Sequence, residues 1–141
     1  MATILICEDD IPLAAYWRQL LEAENHNVYC SETVPQALQL AEKISPDLII
    51  TDMMIRKNEE FLSEGGITLV NQLRCRTQHS IPVICVSGYR PSSYNLLPAL
   101  EVAKTMGVDL ALYKPITAKK LLNEVHNLLV HLDESETECQ V

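Results

Sequence analysis

The sequence predicts an α/β fold of three layers built on a parallel sheet, and three observations carry that reading. Five short runs rich in Ile, Val and Leu recur along its 141 residues. Three of them are apolar nearly throughout instead of alternating, as suits strands covered on both faces. Helical stripes lie between the runs, and strand alternating with helix five times implies right-handed crossovers.

Thr3–Cys7 is the first strand. It leads into a helix marked by Leu13, Trp17, Leu20 and Leu21, with Asp9 or Asp10 as cap and Pro12 in the first turn. Asn27–Cys30 is the second strand, and Val34, Ala37, Leu38 and Ala41 form the next stripe. Leu48–Thr51 is the third strand. A long polar connection, residues 53–65, separates it from a helix carrying Ile67, Val70 and Leu73. Pro82–Val86 is the fourth strand, followed by a loop at Gly88–Pro98 and a less regular helix around Leu100–Met106. Leu110–Tyr113 is the fifth, and Leu121, Val125, Leu128, Leu129 and Leu132 mark the last helix. Beyond it the chain is acidic and aperiodic. Residues 1–132 are therefore expected to form one domain, with 133–141 a disordered tail. Long loops in a compact α/β domain are usually either functional or mobile.

Composition narrows the function classes. The formal net charge is -8, with 11 Lys and Arg against 19 Asp and Glu, which argues against a phosphate-backbone footprint and direct nucleic-acid binding. No apolar run approaches the ~20 residues of a membrane span, and no basic-then-apolar leader opens the chain. Cysteines 7, 30, 75, 85 and 139 are odd in number and share no C-x-x-C spacing. They read as reduced thiols, neither a disulfide frame nor a zinc site, and imply a cytoplasmic location. The four histidines, at 26, 79, 126 and 131, show no metal spacing.

In an open parallel sheet, ligands bind outside the carboxyl ends of the strands. The first strand delivers Glu8, Asp9 and Asp10 there, the third Asp52, the fourth Ser87 and Gly88, and the fifth Lys114 and Pro115. Carboxylates gathered this closely are costly without a cation. All-oxygen ligands with room for water favour Mg²⁺ over Ca²⁺. Taken singly, an acidic strand end is a solvated loop or a helix cap, Ser87 a turn residue and Lys114 a surface lysine. Their coincidence on one edge favours a site.

The segments Ile4-Leu-Ile-Cys-Glu-Asp-Asp10, Pro46-Asp-Leu-Ile-Ile-Thr-Asp52, Pro82-Val-Ile-Cys-Val-Ser-Gly88 and Tyr113-Lys-Pro115 follow in this order. With them, residues 2–132 resemble the receiver domain of two-component response regulators. The resemblance implies a flavodoxin-like doubly wound fold, with five helices around a five-stranded sheet of order 2-1-3-4-5. It also implies roles. Asp52 would be the phosphoacceptor, Asp9 a direct Mg²⁺ ligand, and Glu8 its neighbour holding metal-bound water. The backbone carbonyl of Met54 would be a further ligand. Ser87 would turn its hydroxyl onto the phosphoryl group and Lys114 would pair with it. Phosphoryl transfer asks mainly for alignment and charge neutralisation, which these groups supply.

The expected function is a stand-alone signalling phosphoacceptor, not a turnover enzyme. It would be charged by a sensor histidine kinase or phosphotransfer protein and would switch conformation toward a downstream protein, as a monomer or weak homodimer. Alternatives are an interaction module that works without phosphorylation, or a receiver fragment of a hybrid kinase. A flavin carrier is disfavoured because Glu8, Asp9 and Asp10 would repel its phosphate. The chain departs from the family pattern in three ways. Residues 53–65 form a longer connection than usual and lack the usual proline after the acceptor, the Ser87-to-Lys114 segment is also long, and Ala111 stands where relatives carry an aromatic. Met54 and Tyr89, which would flank the path of hydrolytic water, offer no group to orient it, so a long-lived phosphoryl group is expected.

Overall fold

A computed structural model describes residues 2–52, 56–57, 60–61, 81–87 and 109–139. In chain order the elements are β1 (Thr3–Cys7), α1 (Ile11–Ala23), β2 (Asn27–Ser31), α2 (Val34–Ile44) and β3 (Leu48–Asp52). There follow β4 (Arg56–Lys57), β5 (Glu60–Phe61), β6 (Val83–Ser87), β7 (Leu110–Tyr113) and α3 (Ala118–Cys139). The main sheet runs β2-β1-β3-β6-β7 with every pair parallel. Setting aside the small antiparallel pair β4–β5, this is the expected 2-1-3-4-5 order. The helices expected around Ile67–Leu73 and Leu100–Met106 lie outside the described residues.

The apolar runs become strands because both faces are covered. Leu5, Cys7, Ile49, Val83 and Cys85 pack toward Val34, Ala37, Leu38 and Ala41 of α2. The intervening Ile4, Ile6, Ile50, Ile84 and Val86 pack toward Trp17 and Leu21 of α1 and Leu121 and Val125 of α3. The period of two thus sorts one strand into two cores. Each large side chain so buried stabilises the fold by roughly 1.5–3 kcal/mol.

Helix starts follow their caps. Leu13 N donates to Asp10 Oδ1 at 3.2 Å, Gln36 N to Thr33 Oγ1 at 3.3 Å, and Lys120 N to Thr117 Oγ1 at 3.1 Å. Asp10, rather than Asp9, is the α1 cap. Helix α2 closes on Ser45 in the left-handed region, φ 47°. Two aspartates clamp the opposite edge of the sheet. Asp47 accepts from Thr3 N at 2.9 Å and Asp109 from Val83 N at 2.8 Å, while their own N–H groups donate to the carbonyls of Thr3 and Val83.

Several boundaries differ from expectation. β2, β3 and β6 each run one residue further, to Ser31, Asp52 and Ser87, because the ladder continues past the last apolar side chain. The expected tail from residue 133 is corrected over 133–139, where α3 continues to Cys139. The apolar stripe ends near Leu132, but neither Gly nor Pro stands between Ala118 and Cys139, and glutamate is a good helix former.

Candidate phosphoacceptor site

The parallel register brings the strand ends to one edge. Asp52 closes β3 and Ser87 closes β6, while Glu8 follows β1 and Lys114 follows β7. Ser87 stands opposite Tyr113 in the ladder, and Asp52 opposite Val86. The Glu8 backbone N–H extends the β1–β2 ladder by donating to Ser31 O at 3.0 Å, and this holds the acidic turn against the sheet. Thr51, fully buried, donates its hydroxyl to the Asp52 carbonyl at 3.1 Å and fixes the peptide that follows the acid.

Glu8, Asp9 and Asp52 each bring a carboxylate oxygen within 4.8 Å of the others. Glu8 is 1% exposed and Asp52 6%, while Asp9 is half-buried. Lys114 Nζ bridges the first and third strands, 2.9 Å from Glu8 Oε2 and 3.0 Å from Asp52 Oδ2. The Asp52 contact is a well-formed hydrogen bond. The Glu8 contact is an ion pair outside hydrogen-bond geometry, and among the described residues Glu8 Oε2 has no hydrogen-bond partner despite its burial. The other oxygen, Oε1, accepts from Asp10 N at 3.1 Å.

Electrostatics follow from this packing. Burial, then the neighbouring Asp52 charge, push the Glu8 carboxyl up to about 7, against the opposing pull of Lys114. Burial alone would lower the Lys114 ammonium, but Asp52 and Glu8 together hold it above its ordinary value, so it stays charged. Three carboxylates against one ammonium leave an excess of negative charge. A buried carboxylate oxygen with no hydrogen-bond partner in the described residues sits among hard oxygen donors, which suits a divalent cation. These three acids could hold a metal ion.

The structure therefore brings together Glu8, Asp9, Asp52 and Lys114, and sets Ser87 at the same edge. Met54 lies outside the described residues, as does Tyr89. Ala111, paired with Cys85, packs partly buried against the α2-side core. Sequence reasoning missed that Lys114 is shared with Glu8. It also missed the Thr51 hydroxyl, whose signal was a lone polar residue inside an apolar strand.

Comparison with known proteins agrees with this fold. The family model for the response regulator receiver domain matches residues 4–126. The sensory transduction protein RegX3 of Mycolicibacterium smegmatis is 30% identical over 129 residues, covering 92% of this chain and 51% of that protein. A histidine kinase of Formosa agariphila is 30% identical over 130 residues, 91% of this chain but 8% of the kinase. A receiver domain protein from Clostridium thermocellum has the same fold, with a TM-score of 0.77 at 23% identity over 94% of this chain and 98% of that one. The chain spans about half the length of RegX3 and of the other regulators it matches.

Proposed function

The chain belongs to the response regulator receiver domain family, the signalling modules of two-component systems, and from that premise we propose that Asp52 accepts a phosphoryl group. One observation carries the reading: the Lys114 ammonium lies 3.0 Å from Asp52 Oδ2 beside two further carboxylates. The donor is a sensor histidine kinase or a phosphotransfer protein. An Asp52 oxygen forms the new O–P bond as the P–N bond of the donor's phosphohistidine breaks. The electron pair passes to the imidazole nitrogen, which takes up a proton.

Asp9 and Asp52 would hold Mg²⁺, with Glu8 reaching it through water and the Met54 carbonyl completing the protein ligands. When bound, Mg²⁺ supplies charge neutralisation to the equatorial phosphoryl oxygens. Lys114 supplies a second positive charge as a point on a flexible stem. It holds the acceptor oxygen in place beforehand and then follows the developing charge. Ser87, at the end of β6, is the hydroxyl proposed to meet the phosphoryl group. The switched form then engages a downstream protein. The match to part of a histidine kinase favours a second setting for the same chemistry, a receiver segment within a longer kinase.

Intact-mass measurement with acetyl phosphate tests the proposal. One phosphoryl group is expected on the wild type with Mg²⁺, and none on Asp52→Ala or with excess chelator. Undiminished labelling in either case overturns it. A wild type that takes no phosphoryl group from acetyl phosphate or from a panel of phosphorylated kinases favours an interaction module instead.

A further inference from the structure

Strand β2 is the edge of the main sheet. Asn27 N donates inward to Ala2 O at 2.9 Å, and Ser31 O accepts inward from Glu8 N at 3.0 Å. A parallel ladder alternates with a period of two, so the N–H and C=O groups of Val28 and Cys30 face away from the sheet. Glu32 N–H is occupied by Gln36 Oε1 at 3.1 Å. The open edge is therefore two residues long, with two donors and two acceptors. Along it runs a groove made of two adjoining hollows of about 530 and 420 Å³, which share Arg18, Cys30 and Leu40. Tyr29, at the centre of the edge, is 42% exposed.

We propose that this edge receives a second copy of the same chain, β2 lying antiparallel to β2 about a two-fold axis at Tyr29. The proposal goes beyond the phosphoacceptor reading and does not depend on it. With that register Val28 of each copy faces Cys30 of the other, and all four outward backbone groups are paired. Charge fits the same axis. Glu32 lies just before α2 and Lys43 near its far end, about 14 Å along the helix. Antiparallel docking sets Glu32 of each copy against Lys43 of the other, twice. Leu40 then meets Leu40, and the small Ala15 on the α1 wall lets two α1 helices approach. An extended peptide of unrelated sequence would satisfy the backbone but would have no reason to match charges at both ends.

Proline at position 30 tests the geometry, because the N–H it removes faces outward and serves no bond to β1. In analytical ultracentrifugation the wild type should approach two chains in mass between about 10 μM and 1 mM, and Cys30→Pro should weaken association about tenfold or more while keeping the wild-type circular dichroism. Lys43→Glu should weaken association too, and Lys43→Glu with Glu32→Lys should restore it. In a Cys30→Ser background, Tyr29→Cys should cross-link under mild oxidation, mapped by peptide mass to position 29 of both chains. A wild type that stays a single chain at about 1 mM overturns the proposal. So does a dimer indifferent to Cys30→Pro and unlinked at position 29. A monomer whose Val28 and Cys30 amides shift only with an added peptide overturns it in favour of a peptide partner.

Discussion

Lys114 has two carboxylates within 3.0 Å and can follow only one of them when charge arrives at Asp52. Lys114→Met should therefore leave Mg²⁺ binding intact, or slightly tighter, yet blunt the conformational response to a beryllofluoride mimic. Backbone amide shifts decide it, and a normal switch in the variant contradicts the role. Glu8 offers a pH test in ion-free protein. Its folded-state pKa of about 7 stands above the ordinary 4.5, so the fold holds a proton that the unfolded chain releases earlier. That contribution to stability is full below about 4.5 and is lost as pH rises through about 7. In chelator, the unfolding free energy of wild type, read from urea titration, should fall relative to that of Glu8→Gln from about pH 5 to about pH 8, by a few kcal/mol at most. A constant gap between the two contradicts it. Asp52, Asp9, Glu8 and Lys114 were legible in the sequence because each stands at the end of an apolar strand. That Lys114 also pairs with Glu8 was not, because it depends on how far a lysine stem from β7 reaches across β6 and β3.

At the scale of elements, caps and stripes carry different weights. Thr33→Ala should cost about 1 kcal/mol, since only the Gln36 N–H loses its acceptor. Trp17→Ala should cost about 3–5 kcal/mol, since its ring is buried between α1, the sheet and α3. Denaturant titration separates them, and equal costs would mean that α1 is not held by its apolar face. The strands were legible from unbroken apolar runs, and α1 and α2 from caps followed by stripes. The end of α3 was not. Its stripe stops near Leu132, whereas the helix is carried on to Cys139 by residues that merely tolerate helix, and periodicity is blind to that.

For the whole molecule, the α2-side core holds a buried thiol on each side of β3, Cys7 on β1 and Cys85 on β6. Burial pushes them up to about 11 and about 12, whereas Cys30 is exposed. Among these three, a thiol reagent at neutral pH should label Cys30 fast and the other two only through opening of the sheet. The odd cysteine count had suggested reduced thiols but not which of them were shielded. On the proposal that Mg²⁺ binds the folded form, it should slow Cys7 and Cys85 together, by up to about a hundredfold at a hundred times its Kd. Mass mapping over time measures this. Fast labelling of Cys7 or Cys85 in the native protein would contradict a single cooperative core.

The Asp47 and Asp109 clamps give the sheet the mechanics of a comb gripped along its spine. Asp47 ties the base of β1 to that of β3, and Asp109 ties β6 to β7, each through a pair of bonds at the edge remote from the reactive tips. A strand that slipped by one residue would exchange its two faces, and the acid or the hydroxyl at its tip would leave the cleft with it. The alignment of the tips is thus decided some five residues away, by side chains that touch none of them. A survey of loss-of-function substitutions would find sensitive positions at the spine as well as at the teeth, and a search confined to the neighbourhood of Asp52 would overlook half of what keeps it in tune.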